Sequence, residues 1–176
     1  MASAILPQKH PQFWVDLPAA YTACVAVALI EQGIPIADLW VDPSDPRDAT
    51  IKLAGPRSFA LVWDEASGWR HGPFVSGRRT MRTELVASKT RYLGDEVLPQ
   101  PRTVARLLEA DDMSARAPQP YRSHFDYGDG LDLHLEAYMN ASDLQAIELY
   151  QSQTYRLILP LLASYIRMNL AVDLAA

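Results

Sequence analysis

Phe59-Ala60-Leu61-Val62-Trp63-Asp64-Glu65-Ala66-Ser67-Gly68-Trp69-Arg70-His71-Gly72-Pro73-Phe74-Val75 is the stretch that decides the fold. Phe59 to Trp63 is an apolar run of strand length. Asp64 to Gly68 has the length and composition of a hairpin loop, and Trp69 to Val75 returns as a second strand. A hairpin with so apolar a face needs a layer to cover it.

Working back towards the N-terminus, Ala49 to Ala54 alternates Thr50 and Lys52 outward with Ile51 and Leu53 inward, a strand of period 2. Asp42-Pro43-Ser44-Asp45-Pro46-Arg47-Asp48 is turn chemistry: proline fixes φ, and Asp and Ser side chains bond nearby backbone N–H groups. Ile36 to Val41 reads as another strand. Before it, Pro18 to Gln32 is small and apolar almost all round, a helix covered on most of its circumference. Asp16 lies where a cap is expected, Pro18 suits the first turn, and Gly33 with Pro35 stops the helix.

On the C-terminal side, one more strand is expected near Thr83 to Ala87. A helix follows at Thr103 to Ala110, with Val104, Leu107 and Leu108 on its apolar face. Ser142 to Leu174 reads as a long helix, with Ser142 and Gln145 as a capping box and a kink at Pro160. The fold class is α+β: an N-terminal helix, an antiparallel sheet of about four or five strands, and covering helices that include the long hydrophobic C-terminal one. Residues 1–11 form a flexible arm, 12–140 a single domain, and 141–176 a helix that packs on the domain or on a second subunit.

The chain has 176 residues, 49% hydrophobic and 21% charged, as in an ordinary globular domain. Its net charge of −5 gives no global attraction to nucleic acid or anionic lipid. The lone Cys24 excludes an internal disulfide, and with no signal peptide a cytoplasmic location is expected. The apolar run Leu157 to Ile166, flanked by Arg156 and Arg167, is about half of the ~20 residues that a membrane span needs.

Val41-Asp42-Pro43 with Ala49-Thr50-Ile51, Ala60 to Glu65 with Gly68-Trp69, Tyr92-Leu93-Gly94, and Leu98 to Pro101 with Val104-Ala105 occur in an order that resembles a family of small actinobacterial proteins, domain of unknown function 6292. The resemblance covers roughly residues 15–112. It implies an intracellular, actinobacterial setting and carries no catalytic residues.

Three clusters are candidates for function. Trp63, Asp64, Glu65, Trp69 and Arg70 put two indoles beside charged groups, a composition common at recognition edges; the alternative is that the indoles are core. Arg78, Arg79, Arg82, Lys89 and Arg91 form a basic stretch that would contact phosphates or answer Asp95, Glu96, Asp111 and Asp112. Asp126 to Glu136 is rich in oxygen ligands but fails the EF-hand spacing. There Asp132, His134 and Glu136 would share one face of a strand, with Leu131, Leu133 and Leu135 on the other. No nucleotide-loop, nucleophile-elbow or zinc motif occurs, and neither a metal nor a cofactor is expected.

Leu157, Leu161, Leu162, Tyr165 and Ile166 recur at helical spacing and form a broad stripe that self-association would cover. The expectation is a non-enzymatic protein-binding or regulatory module, homo-oligomeric, with a protein partner and no membrane. The alternatives are a nucleic-acid binder using the basic stretch, and a small enzyme or metal protein with a site near 126–136.

Overall fold

The computed structural model describes residues 17–42, 46–79, 81–114 and 129–138. The arm at 1–11, the helix expected at 142–174 and its residues Leu157, Leu161, Leu162, Tyr165 and Ile166 lie outside the described residues.

Helix α1 (Pro18–Glu31) begins with Pro18, whose missing N–H has no intrahelical acceptor to lose. It ends in a Schellman motif. The Gly33 N–H donates to the Ile30 carbonyl at 2.9 Å and the Ile34 N–H to the Leu29 carbonyl at 2.9 Å. Gly33 sits at φ 78°, where a side chain would be strained. Burial runs round almost the whole helix, from Ala19 and Ala20 through Tyr21, Val25 and Ala26 to Leu29, as its composition predicts.

Strands β1 (Ile36–Asp42), β2 (Asp48–Leu53), β3 (Phe59–Asp64), β4 (Gly68–Arg78) and β5 (Met81–Leu85) follow one another across an antiparallel sheet. Strand β6 (Arg91–Leu93) pairs with the first half of β4, giving six strands. The turn expected over Asp42 to Asp48 is shorter than its composition suggests: Asp42 closes β1 and Asp48 opens β2. The sixth strand is only three residues long, too short for periodicity to reveal. Helix α2 (Pro101–Glu109) packs against α1 and buries Val104 and Ala105.

Residues 131–138 are helical. This corrects the strand expected there. The Asp129 side chain accepts from the Leu131 N–H at 3.1 Å, and the His134 N–H reaches the Gly130 carbonyl at 3.2 Å. Leu131 and Leu135, four apart, are buried, while Leu133 is 70% exposed. Alternating leucines thus satisfy a helical stripe as well as a strand.

The two faces of the sheet are covered differently. On the first face, Val41, Ala49, Trp63, Trp69 and Leu93 form one cross-strand row. Ala49, Trp63, Trp69 and Leu93 join Ile51, Leu61 and α1 in the main core. On the second face, the far half of β4 and β5 fold back over the sheet. Thr83 Oγ1 lies 2.7 Å from Thr50 Oγ1, the Arg82 guanidinium donates to the Pro46 carbonyl at 2.9 Å, and Lys52 Nζ sits 4.5 Å above the Phe74 ring. Register shifts along β4 and β5 permit that bend. Gly77, at φ 151°, is the residue that allows it: a Cβ there would stand 2.5 Å from Thr83 Oγ1 and 2.9 Å from Thr83 Cα.

Among the described residues, no helix is long and apolar enough to cross a membrane.

Candidate functional site

The β3–β4 hairpin turns its aromatic residues inward. Trp63 and Trp69 face each other across the two strands and are 0% and 1% exposed. Trp63 Nε1 donates to the Val97 carbonyl at 2.7 Å. Trp69 Nε1 donates to Tyr21 Oη at 3.0 Å, and the Tyr21 hydroxyl donates to the Pro99 carbonyl at 2.7 Å. Each indole thus has its one polar atom satisfied inside the core. Residues 61, 63 and 69 fall on the face that α1 covers, so the recognition edge expected here reduces to Asp64 and Arg70. These two half-buried side chains are bonded to each other. Asp64 Oδ1 also accepts from the Ala66 N–H at 3.0 Å and the Ser67 N–H at 2.7 Å, holding the hairpin loop.

Glu65 is wholly buried against Arg47, which is equally buried. Glu65 Oε2 accepts from Arg47 Nε at 3.1 Å and Nη2 at 2.8 Å, and Oε1 accepts from the Arg47 N–H at 2.8 Å. Arg47 Nη2 reaches Asp132 Oδ1 at 2.6 Å, tying helical residues 131–138 to the sheet. Asp132, read from sequence as a ligand candidate, is therefore engaged by a guanidinium. Among the described residues, no group of three or more His, Cys, Asp and Glu is placed to hold a metal. Asp126 lies outside the described residues.

One residue beyond the Val41–Ala49–Trp63–Trp69 row runs a second row on the opposite face: Asp42, Asp48 and Asp64 are register partners across β1, β2 and β3. Asp42 is 3% exposed and Asp48 2%. Asp42 Oδ2, Asp48 Oδ1 and Trp40 Nε1, all on this face, have no hydrogen-bond partner among the described residues. Arg82 Nε approaches Asp48 Oδ2 at 3.7 Å. Burial, and next the neighbouring Asp42, push the Asp48 carboxyl up to about 7, with Asp64 adding to the rise while Arg82 and Arg70 oppose it. Sequence reading missed this group because Asp42 and Asp48 fit turn chemistry. An acid at both ends of a turn between two strands was the available signal.

The basic stretch is divided. Arg78, Arg79 and Arg82 are exposed on the β4–β5 hairpin, beside Val75 at 55% exposure and Met81 at 49%. Lys89 lies in the short 3-10 turn Ala87–Lys89, and Arg91 pairs with His71 near the start of β4. His71 lies near the start of β4 and Arg78 at its end, beyond the bend, so the stretch is divided between the two ends of that strand.

A shallow cleft of about 330 Å³ is lined by Leu53, Arg57, Phe59 and His71. His71 stacks on Phe59 at 5.2 Å, and burial lowers its pKa, which keeps the ring neutral at pH 7. Burial pushes the Cys24 thiol up to about 11, well away from a nucleophilic thiolate.

No curated protein and no solved structure matches the chain. Residues 21–110, from the Tyr21 that holds the indole core through the end of α2, match the family of unknown function DUF6292, and the chain belongs to that family.

Proposed function

We propose that the chain is a non-enzymatic protein-binding module that offers the β4–β5 hairpin to a partner segment carrying apolar and acidic side chains. One observation carries this reading: Val75 and Met81 are exposed on the same hairpin as Arg78, Arg79 and Arg82. Apolar side chains with arginines beside them are a composition enriched at interfaces. The other charged clusters are turned inward, Glu65 to Arg47 and Asp64 to Arg70. The cytoplasm is the proposed compartment. Self-association through Leu157, Leu161, Leu162, Tyr165 and Ile166 is a second element of the reading, supported by their 3–4 spacing.

Photo-crosslinkers placed at Val75 and Met81 in cells test the contact surface. A defined crosslinked protein, lost on Arg78→Glu with Arg79→Glu while the melting temperature holds, is the expected result. Crosslinks indifferent to that charge reversal would overturn it. Salt-sensitive retention of DNA or RNA that is lost in the same variant would replace the protein partner with a nucleic acid. For self-association, Leu161→Asp with Ile166→Asp should halve the mass seen by light scattering; an unchanged mass removes that element.

A further inference from the structure

We infer that residues 129–138 are a releasable plug in a helix-binding groove of the domain, and that the groove accepts in trans an amphipathic helix carrying the same anchors as Leu131, Asp132, Leu135 and Tyr138. This surface is distinct from the β4–β5 hairpin, and the inference does not rest on the partner proposed for that hairpin.

The groove is formed by α1 and by two turns at one end of the sheet. Arg47 precedes β2 and Glu65 follows β3, and the two strands are paired there through Asp48 and Asp64. Tyr21 stands on α1. The plug sets one face against these residues. Leu131 and Leu135 are 7% and 0% exposed and belong to the main core. The Tyr138 ring meets Tyr21 edge-on at 5.0 Å, and Asp132 Oδ1 accepts from Arg47 Nη2 at 2.6 Å. Leu133 and His134 are exposed on the other side. Apolar anchors at i, i+4 and i+7 with an exposed opposite face are the pattern of a helix laid into a groove.

Two observations separate the plug from the domain that holds it. The first is charge. Glu65 already neutralises Arg47 from within the domain, taking its backbone N–H, Nε and Nη2. Asp132 brings a second carboxylate to that same Nη2, which neutrality does not require. Its effect is recognition: a short, charge-assisted bond fixes where along the groove the helix stops. The second is extent. The family match over 21–110 takes in Tyr21, Arg47 and Glu65 and ends before the plug. Just beyond it, Ser114 is tied to β6 by both of its backbone groups, each bonded to Tyr92 at 2.9 Å. Residues 115–128 then connect Ser114 to the plug.

The helical part of the plug spans only 131–138, shorter than the ~12–15 residues that an isolated helix needs in water. Docking therefore sustains the helix, and release and unwinding are one event. Covalent attachment keeps the plug at the groove at an effective concentration on the order of mM. An outside helix gains the groove once the plug is weakened.

The test uses the full-length chain and a fluorescein-labelled peptide of residues 127–140, followed by anisotropy. Leu135→Asp, which expels the plug, should keep a cooperative melting transition and bind the peptide at least about tenfold more tightly than the native chain does. A peptide with Asp132→Lys should bind that variant at least about tenfold more weakly, since it sets a cation against Arg47. Hydrogen exchange of the native chain needs no variant: the 131–138 amides should exchange about tenfold or more faster than those of β3, through an opening that β3 does not share. Exchange of 131–138 in step with β3, or unfolding of Leu135→Asp, would make the segment an integral part of the core and overturn the inference. A folded Leu135→Asp chain that ignores the peptide, or that binds both peptides equally, overturns it as well.

Discussion

Two neighbouring cross-strand rows pass through the same sheet and are built in opposite ways. Val41, Ala49, Trp63, Trp69 and Leu93 face α1, and the two indoles among them have their N–H groups satisfied. One step along each strand, Asp42, Asp48 and Asp64 face the folded-back hairpin, and Asp42 and Asp48 each keep one buried oxygen without a partner among the described residues. Strand alternation decides which way a side chain points; the element laid over that face decides what the side chain must endure. The first face is stabilised by burial of apolar area, the second by matching charges and hydroxyls one at a time.

The largest effect expected from breaking this contrast comes where a charge is buried as deeply as the indoles. Glu65→Ala takes from the wholly buried Arg47 the carboxylate that accepts from its backbone N–H, Nε and Nη2, and should cost about 3–5 kcal/mol of unfolding free energy in urea melts. The double variant Arg47→Met with Glu65→Leu should recover much of that loss, because no wholly buried charge remains and Asp132 is partly exposed. Equal losses in the single and double variants would mean that Arg47 is needed for Asp132 and the helical residues 131–138 rather than for charge balance.

Gly77→Ala is the next largest. Its Cβ would collide with Thr83, so the hairpin must shift or the φ of 151° must relax, at about 1–3 kcal/mol. The loss should appear in β5 exchange and leave the environment of Trp63 unchanged. A change in core tryptophan fluorescence of equal size would show that the two faces do not respond separately.

The pH dependence of overall stability sharpens the contrast further. Asp48 in the fold titrates at about 7, above the 3.8 usual for an aspartate, so the folded chain holds a proton that the unfolded chain has lost. The stabilisation is fully present below pH 3.8 and is lost as pH rises to 7, by at most ~1.4 kcal/mol per pH unit for one proton. Asp48→Asn should flatten that fall and raise the melting temperature at pH 8 relative to the native chain. The reverse order at pH 8 would mean that the Arg82 ion pair outweighs the cost of burying the charge.

The first face was legible because its rules are local and repeated. Period-2 alternation placed Ile51 and Leu53 inward, the apolar run marked β3, and small residues with Gly33 marked α1 and its end. The α+β class follows from those same segments. The second face was not legible, because its contacts join residues that share no pattern: Thr50 with Thr83 and Arg82 with Asp48. A polar residue on an alternating strand reads as solvent-facing until something covers it, and the cover here is a hairpin bent at Gly77. The indoles were left between two readings, recognition edge or core, for the mirror-image reason. Aromatics beside charges suggest a surface, but Trp63 and Trp69 carry the parity of Leu61 and stand with it in the core.

The smallest effect bears on the contact between Lys52 and Phe74 on the second face, which uses neither a buried acid nor a hydroxyl. Lys52 alternates outward from β2 and lies over Phe74, with its Nζ 4.5 Å from the ring centre. Lys52→Met keeps a stem of similar length over the ring and removes only the charge, so the loss should be about 0.5–1 kcal/mol. A double-mutant cycle with Phe74→Leu isolates the pairwise part from lost packing. Coupling near 0.5 kcal/mol in the cycle means that the charge of Lys52 helps hold the hairpin over the sheet. Coupling near zero means that its stem acts as a spacer, leaving the Thr50–Thr83 and Arg82 contacts to close the second face.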